Sequence, residues 1–374
     1  MDKNKWSIGW GLTSDCNMSC EFCYSRMKRG KGHDIAPDYW KQFIDMNADY
    51  ISSINYGTGE NTISQDWFYL VKYIRDKYPN IIQALTTNGY ISEVIKQNAE
   101  NKVIFLSSID EVDVSLDYAD AQRHNKFRGQ PHAYGWVMNT IDFCHSNKIP
   151  LTLVMLGSKV TLYEENVHAI FQIASQFNAI IRINLYRPTE GINKISKQYI
   201  LSIDELLTFL HFASTNYNVL SINDPLLSSL LTTKTIEDTS GSSSLRILPN
   251  GDVTPSTYLI TDEFIVGNLK DGFSLKDISK NTRLNQKIKK IIPASCMKCE
   301  HLNTCSGGVI DRRYLWYGTL NKRDPYCYVD NAEMRDKHRY MITLSDDKFH
   351  SVHDGYLPTM FFKNKLSEKK YEFI

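Results

Sequence analysis

The chain has 374 residues, 42% of them apolar and 23% charged, with 43 Lys plus Arg against 42 Asp plus Glu. Near-neutral charge excludes a protein built around nucleic acid, and the length supports about two domains whose core needs no disulfides. The apolar runs fall far short of the roughly 20 residues of a membrane span, and MDKNKWSIGWGL reaches Thr13 and Ser14 too soon for a signal peptide, so a cytoplasmic protein without membrane contact is expected.

From the N-terminus, short β-rich runs alternate with amphipathic segments through residue 215. The runs are IGWGL (ending at Leu12), YISSINYG (Gly57), IIQALTTNG (near Thr87), VDVSLD (Asp117), LTLVMLG (Gly157) and IIRINLY (Tyr186). Their ends lie 45, 30, 30, 40 and 29 residues apart, the length of a strand–helix unit that returns to a parallel strand. PDYWKQFIDMNADY opens on Pro37, which suits a first helical turn, and sets Trp40, Phe43 and Ile44 on one face. EENVHAIFQIASQF and DELLTFLHFASTNY repeat that pattern. Six such units predict an α/β fold, a partial (β/α)6 TIM-like barrel open on one side, over residues 1–216. Active sites of parallel barrels form at the C-terminal ends of the strands. There the sequence places Gly57–Thr58–Gly59–Glu60, Thr87–Asn88–Gly89 and Ser115–Leu116–Asp117.

Residues 217–330 read as a small α+β domain. DTSGSSSL is linker-like, RILPNGDVTP signals a turn between two short strands, and TRLNQKIKKII reads as a helix. Residues 331–374 read as a C-terminal tail, with KNKLSEKKYEF exposed.

The eight cysteines divide into Cys16, Cys20 and Cys23; Cys296, Cys299, Cys305 and Cys327; and a solitary Cys144. A reducing cytosol favours metal ligation over disulfides. Four thiolates close a four-iron cluster, whereas three leave one iron open. Zinc fits the second set about as well as a cluster does, because CMKC has a zinc-knuckle spacing. It fits the first set poorly, for lack of a nearby fourth Cys or His. Cys144 shares helical spacing with Trp136, Val137 and Ile141, which is the pattern of a core residue. His124, Arg123, Asp120, Lys28, Arg29 and Lys31 read as surface or loop residues, and no catalytic acid or base can be named.

The C-x3-C-x2-C triad after a first barrel strand, with GTGE after the second, resembles the radical S-adenosylmethionine (SAM) enzymes, whose motif there is Gly-Gly-Glu. Phe22 before the third cysteine, SLD ending the fourth strand, SLDYADAQRHNKFRG and YRPTEG are similar to stretches of the peptide-modifying members. The resemblance spans roughly residues 6–330. It implies that Cys16, Cys20 and Cys23 ligate a [4Fe-4S] cluster whose fourth iron chelates SAM. Reductive cleavage of SAM then releases a 5′-deoxyadenosyl radical that removes hydrogen from a C–H bond. It also implies that Gly59 and Glu60 hold the SAM amino group, that Ser115, Asp117 and Arg128 contact its polar groups, and that Phe22 lies near the adenine.

The later cysteines resemble the SPASM or "twitch" extension, an iron–sulfur domain with auxiliary clusters. C-x2-C-x5-C, a GG turn and DPYC match Cys296, Cys299, Cys305 and Cys327, the ligands of the outer auxiliary cluster. The inner cluster's cysteines are absent: Ser256 and Val309 stand in two of the places, and the stretch near Ser242–Ser244 offers none. Two [4Fe-4S] clusters in total are therefore expected, with a reductant such as flavodoxin or ferredoxin. Sulfatase maturation is set aside, because Thr257 replaces the acidic residue of those enzymes. The resemblance implies modification of a ribosomally made precursor peptide, foremost an oxidative side-chain crosslink. Peptide epimerisation, chemistry on a sugar, nucleoside or tetrapyrrole, and a non-catalytic iron–sulfur or zinc scaffold are the alternatives.

Overall fold

The computed structural model describes residues 5–26, 34–231, 239–281, 284, 291–329, 331–338 and 340–365. All six expected runs form strands: β1 (Trp6–Trp10), β2 (Ile51–Tyr56), β3 (Ile82–Thr87), β4 (Glu111–Ser115), β5 (Leu151–Gly157) and β6 (Ile180–Leu185). Each pairs in parallel with the next. The returns run through helices α1 (Pro37–Asn47), α2 (Gln65–Lys77), α3 (Ile91–Gln97), α4 (Ala99–Ser108), α5 (Ala121–Arg128), α6 (Ala133–Ser146) and α7 (Glu164–Gln176). Helices α8 (Ser196–Tyr199) and α9 (Ile203–Asn216) follow β6.

Helix α1 begins at Pro37, where a missing N–H costs nothing, and buries Trp40, Phe43 and Ile44. Phe43 meets Trp10 of β1 edge-on, with ring centroids 5.4 Å apart. Helix α2 does the same with Trp67, Phe68, Leu70, Val71 and Ile74. The parallel strands are buried on both faces, which is why they read as nearly unbroken apolar runs.

The sheet extends beyond these six units. Among the described residues it has 11 strands in the order β10 (Gly267–Asn268), β9 (Asp252–Thr254), β8 (Ser244–Ile247), β1, β2, β3, β4, β5, β6, β11 (Met360–Asn364), β7 (Tyr217–Ile222), and it does not close. Strand β8 (Ser244–Ile247) runs parallel to β1 and turns through Pro249–Asn250–Gly251 into antiparallel β9 (Asp252–Thr254), as the turn signal predicts. Strand β10 (Gly267–Asn268) lies outside β9. On the other side, β11 (Met360–Asn364) pairs antiparallel with both β6 and β7 (Tyr217–Ile222).

One sheet thus crosses the boundary drawn at 216/217, and the stretch read as a tail supplies an interior strand. Only three apolar residues, Met360, Phe361 and Phe362, mark β11, and Lys363 follows them at once. That is too short a run to announce a strand. The helix expected in TRLNQKIKKII lies almost wholly outside the described residues, as does the chain beyond residue 365. Among the described residues, no helix is long and apolar enough to cross a membrane.

The segment before β11 enters the open side of the barrel from below. Glu111, at the start of β4, accepts the Val352 N–H at 2.7 Å and faces His350 Nδ1 at 3.0 Å. Deeper in, Asp113 Oδ2 lies 3.0 Å from both Arg182 Nη1 and His353 Nδ1. Burial alone would raise the Asp113 carboxyl, but Arg182 and His353 hold it well below the usual carboxylate range. Phe362 is fully buried against Phe171 and Phe209. Phe362→Ala should therefore cost about 3–5 kcal/mol of stability, measured as a lower urea midpoint or melting temperature.

Candidate active site

The loop between β1 and α1 carries Cys16, Cys20 and Cys23 and has little regular structure of its own. It keeps its shape through the loops that follow the neighbouring strands. Gly59 has φ +62°, and a Cβ there would come within 2.3 Å of the Asp15 carbonyl and 2.6 Å of the Thr13 carbonyl. Only glycine permits that approach. The next residue donates its N–H to the Asp15 carbonyl at 2.9 Å. Its carboxylate turns the other way and accepts the Thr62 hydroxyl at 2.7 Å, the Thr87 hydroxyl at 2.9 Å and the Asn88 N–H at 2.8 Å.

Asn88 in turn donates to Asn17 Oδ1 at 2.8 Å and to Cys16 Sγ at 3.7 Å. Cys20 Sγ reaches the Arg128 carbonyl at 3.4 Å, and Tyr199 donates to Glu21 at 2.8 Å. Tyr24 bonds Thr58 at 3.0 Å, and Arg26 grips Glu190. The cysteine loop is thereby tied to the ends of β2 and β3, the end of α5 and the stretch after β6.

The three thiols line one cavity at the C-terminal ends of the strands, about 1530 Å³ including its open mouth. Its wall also contains Phe22, Gly59, Ser115 and Arg128. Phe22 stacks on Phe127 with ring centroids 4.2 Å apart, and the Arg128 guanidinium sits 5.2 Å from the Phe22 ring.

Glu60 and Asp117 do not line the cavity; they act from behind it. Glu60 is spent on the three donors just named. Burial raises its pKa while those donors pull it back. Asp117 is fully buried, binds Arg128 Nη2 at 2.5 Å and accepts the Leu156 N–H at 2.8 Å. Burial alone would weaken the Arg128 charge, but Asp117 and Cys20 hold its pKa above the ordinary value.

His124 is not a surface residue: it is fully buried, and its Nδ1 accepts the Asp117 N–H at 3.3 Å. Burial, then Arg128, pushes it down to about 3, so it is neutral. The helical period places His124 on the inner face of α5, a face invisible until Asp117 is known to lie beneath it. Asp120 caps α5 by accepting the Arg123 N–H at 2.8 Å, and Arg123 lies outside against Tyr163. Lys28, Arg29 and Lys31 lie outside the described residues.

Sequence reading passed over Arg182, Arg246 and His353, which also line the cavity, and named Arg187 only within YRPTEG. The available signal was an arginine inside an otherwise apolar strand run, as in IIRINLY and SLRI. His353 carried no such signal.

Cys296, Cys299, Cys305 and Cys327 line one smaller cavity of about 370 Å³, together with His301 and Asp324. Burial pushes the Cys305 thiol up to about 12 and raises Cys296 as well. Where an inner cluster would need cysteine, Ser256 donates to Asp311 Oδ2 at 3.0 Å, and Asp311 Oδ1 binds Arg187 Nε at 2.7 Å. Val309 is buried and donates its N–H to Asp324. Among the described residues, no three Cys, His, Asp or Glu side chains close around a single ion. A four-iron cluster carries each thiolate on a separate iron and needs no such convergence. Three thiols around one cavity and four around another fit two clusters as donor sets.

Glu60→Gln replaces an acceptor of three hydrogen bonds with a group that brings its own buried donor. Stability should fall by about 2–4 kcal/mol, read by chemical denaturation, with faster alkylation of Cys16, Cys20 and Cys23 in the metal-free protein.

Residues 10–172 match the Radical SAM superfamily. The chain is 23% identical over 345 residues to the mycofactocin maturase MftC of Mycobacterium tuberculosis, covering 88% of this chain and 85% of that protein. It is 23% identical over 354 residues to the AdoMet-dependent heme synthase of Nitratidesulfovibrio vulgaris, covering 86% and 91%. Among solved structures, Streptococcus suis SuiB bound to S-adenosylmethionine superposes with a TM-score of 0.68 at 15% identity, covering 87% of this chain and 77% of that one. That likeness shows a shared fold over most of the chain. The cysteine loop, the barrel that frames it and these matches agree: residues 10–172 form a radical SAM domain, and the protein is an enzyme.

Proposed function

We propose that the protein modifies a ribosomally made precursor peptide, forming an oxidative crosslink from a side-chain carbon. The observation that carries this reading is the cavity itself. It is open at its mouth, rimmed by three thiols on one side, and walled on the other by Ser256, Thr257 and Tyr258 of the C-terminal region. A long substrate can enter such a site with one residue inserted. The maturase MftC and SuiB, also solved bound to precursor peptide SuiA, support the same direction.

Cys16, Cys20 and Cys23 would hold a [4Fe-4S] cluster, leaving one iron for SAM. Bound SAM supplies a 5′-deoxyadenosyl radical able to take hydrogen from an unactivated carbon. The chain's own residues bind, orient and shield. Arg128, aimed by Asp117, offers a cation to a carboxylate, and Ser115 adds a hydroxyl at the end of β4. Met18, Phe22, Met155 and Leu185 give the wall an apolar lining that excludes water.

Cys296, Cys299, Cys305 and Cys327 would hold one auxiliary cluster, fully bound by thiolate. Held there, it would support the fold and could take up the electron that an oxidative crosslink releases. Anaerobic reconstitution should give about eight irons per chain, falling to about four in Cys296→Ala/Cys299→Ala. With SAM and a reductant, wild type should release 5′-deoxyadenosine and Cys16→Ala none. Absence of that product from wild type would overturn the proposal.

Epimerisation needs a thiol donor facing the substrate. Cys144 is fully buried in the main core, its thiol is pushed up to about 12 by burial, and it does not line the cavity. Cys144→Ala should keep turnover while losing about 1 kcal/mol of stability. Loss of turnover in a folded variant would restore the epimerase reading. The heme synthase relative keeps a tetrapyrrole substrate as the second reading.

A further inference from the structure

Among the described residues, the basic side chains lining the main cavity are Arg128, Arg182, Arg187, Arg246 and His353, and no aspartate or glutamate faces it. Three of the arginines have a carboxylate behind the wall: Asp117 for Arg128, Asp113 for Arg182 and Asp311 for Arg187. Arg246 has none among the described residues. It is 2% exposed and sits on β8 directly beside Gly9 of β1, where any Cβ would come within 2.9 Å of Nη1. Its Nη2 donates to the Gly57 carbonyl and the Thr58 hydroxyl, and its Nε has no acceptor. Arg182 Nε and Arg187 Nη2 also lack acceptors.

A guanidinium stays charged at any accessible pH, so Arg246 is a cation kept out of water without a counter-charge among the described residues. Such a charge is costly unless a partner arrives. The two bonds from Nη2 tether the loop after β2, where Thr58 holds φ +90°, but they use neither Nε nor the charge. What is missing is an acceptor with more than one oxygen and a negative charge. A carboxylate meets that description and pairs with arginine through parallel bonds.

We infer that this cavity selects its substrate by a carboxylate, bound by Arg246 with Arg187 and Arg182 beside it. The inference rests on the peptide-maturation reading and narrows it. The residue inserted beneath the thiols is either the free C-terminus or an aspartate or glutamate of the precursor. Arg246 is a specificity residue here; it takes no proton and exchanges no electron.

The test uses the full chain, reconstituted and SAM-bound, dialysed to equilibrium against three hexapeptide pools. One has free C-termini and no Asp or Glu, one is C-terminally amidated with a single Asp or Glu, and one is amidated without either. Wild type should retain the first or the second pool at least about tenfold over the third. Arg246→Gln should erase that preference and Arg246→Lys keep part of it, with folding checked by thermal melting. Equal or no retention of the three pools and of coproporphyrin III by wild type overturns the inference without any variant.

SAM affinity, measured in the same variants, supplies a second reading. Loss of SAM binding in Arg246→Gln with the pool preference intact would assign the counter-charge to SAM and overturn the inference. Coproporphyrin III, a tetracarboxylate, separates the two levels of the argument. Its Arg246-dependent retention in place of any peptide would keep the carboxylate site and remove the peptide reading.

Discussion

The described part of the cysteine loop, residues 11–26, has little regular structure, and its placement depends on a single buried carboxylate. Glu60 receives the Thr62 hydroxyl, the Thr87 hydroxyl and the Asn88 N–H, while its own N–H holds the Asp15 carbonyl. The ends of β2 and β3 and the start of the cysteine loop are thus fixed to one another by bonds sheltered from water. Hydrogen bonds to an ionised, buried acceptor are stronger than neutral ones, and leaving any one donor unmatched is expensive. Asp117 has a similar place one layer further round: it aims Arg128 at the cavity and is steadied from behind by a neutral His124. Both carboxylates work at one remove, shaping the wall that meets the ligand.

A barrel of six units leaves a gap, and the chain fills it from two directions. Strands β8, β9 and β10 extend one edge, bringing Arg246 and the stretch around Ser256 to the cavity. From the far end of the sequence, β11 inserts between β6 and β7, and His353 comes to rest against Asp113 inside the barrel. The C-terminal region is locked down by a further buried arginine, Arg312, which binds Asp224 at 2.6 Å and Asp324 at 2.5 Å. Asp324 lies beside the four later cysteines, so the same ion pairs that seat the extension shape the second thiol cavity. The Ser256–Asp311–Arg187 network includes one of the positions where the resemblance would place a cysteine of a second auxiliary cluster.

Much of this is legible in the sequence because it is local. The six parallel strands follow from apolar runs spaced by the length of a helical return, and each run forms a strand within a few residues of its expected limits. The cysteine triad and its place on the C-terminal rim follow from motif spacing, whereas the need for glycine at position 59 emerges in the fold, where the Asp15 and Thr13 carbonyls leave no room for a Cβ. The four later cysteines declare themselves as a set. These features depend on neighbours in the chain, where periodicity and motif spacing carry the information.

Tertiary structure alone decided which charges meet. Nothing local distinguishes Arg246, whose guanidinium has no carboxylate partner among the described residues, from Arg182, whose partner lies 69 residues away on β4. The division between Glu60 and Asp117 behind the wall and Ser115 and Arg128 on it depends on which side of a strand end each side chain leaves. The destination of β11 likewise rests on a vacancy between β6 and β7 that no residue near Met360 encodes. Sequence patterns record how a segment buries its own apolar face; pairing across the fold is set by long-range geometry, and so only the folded chain reveals it.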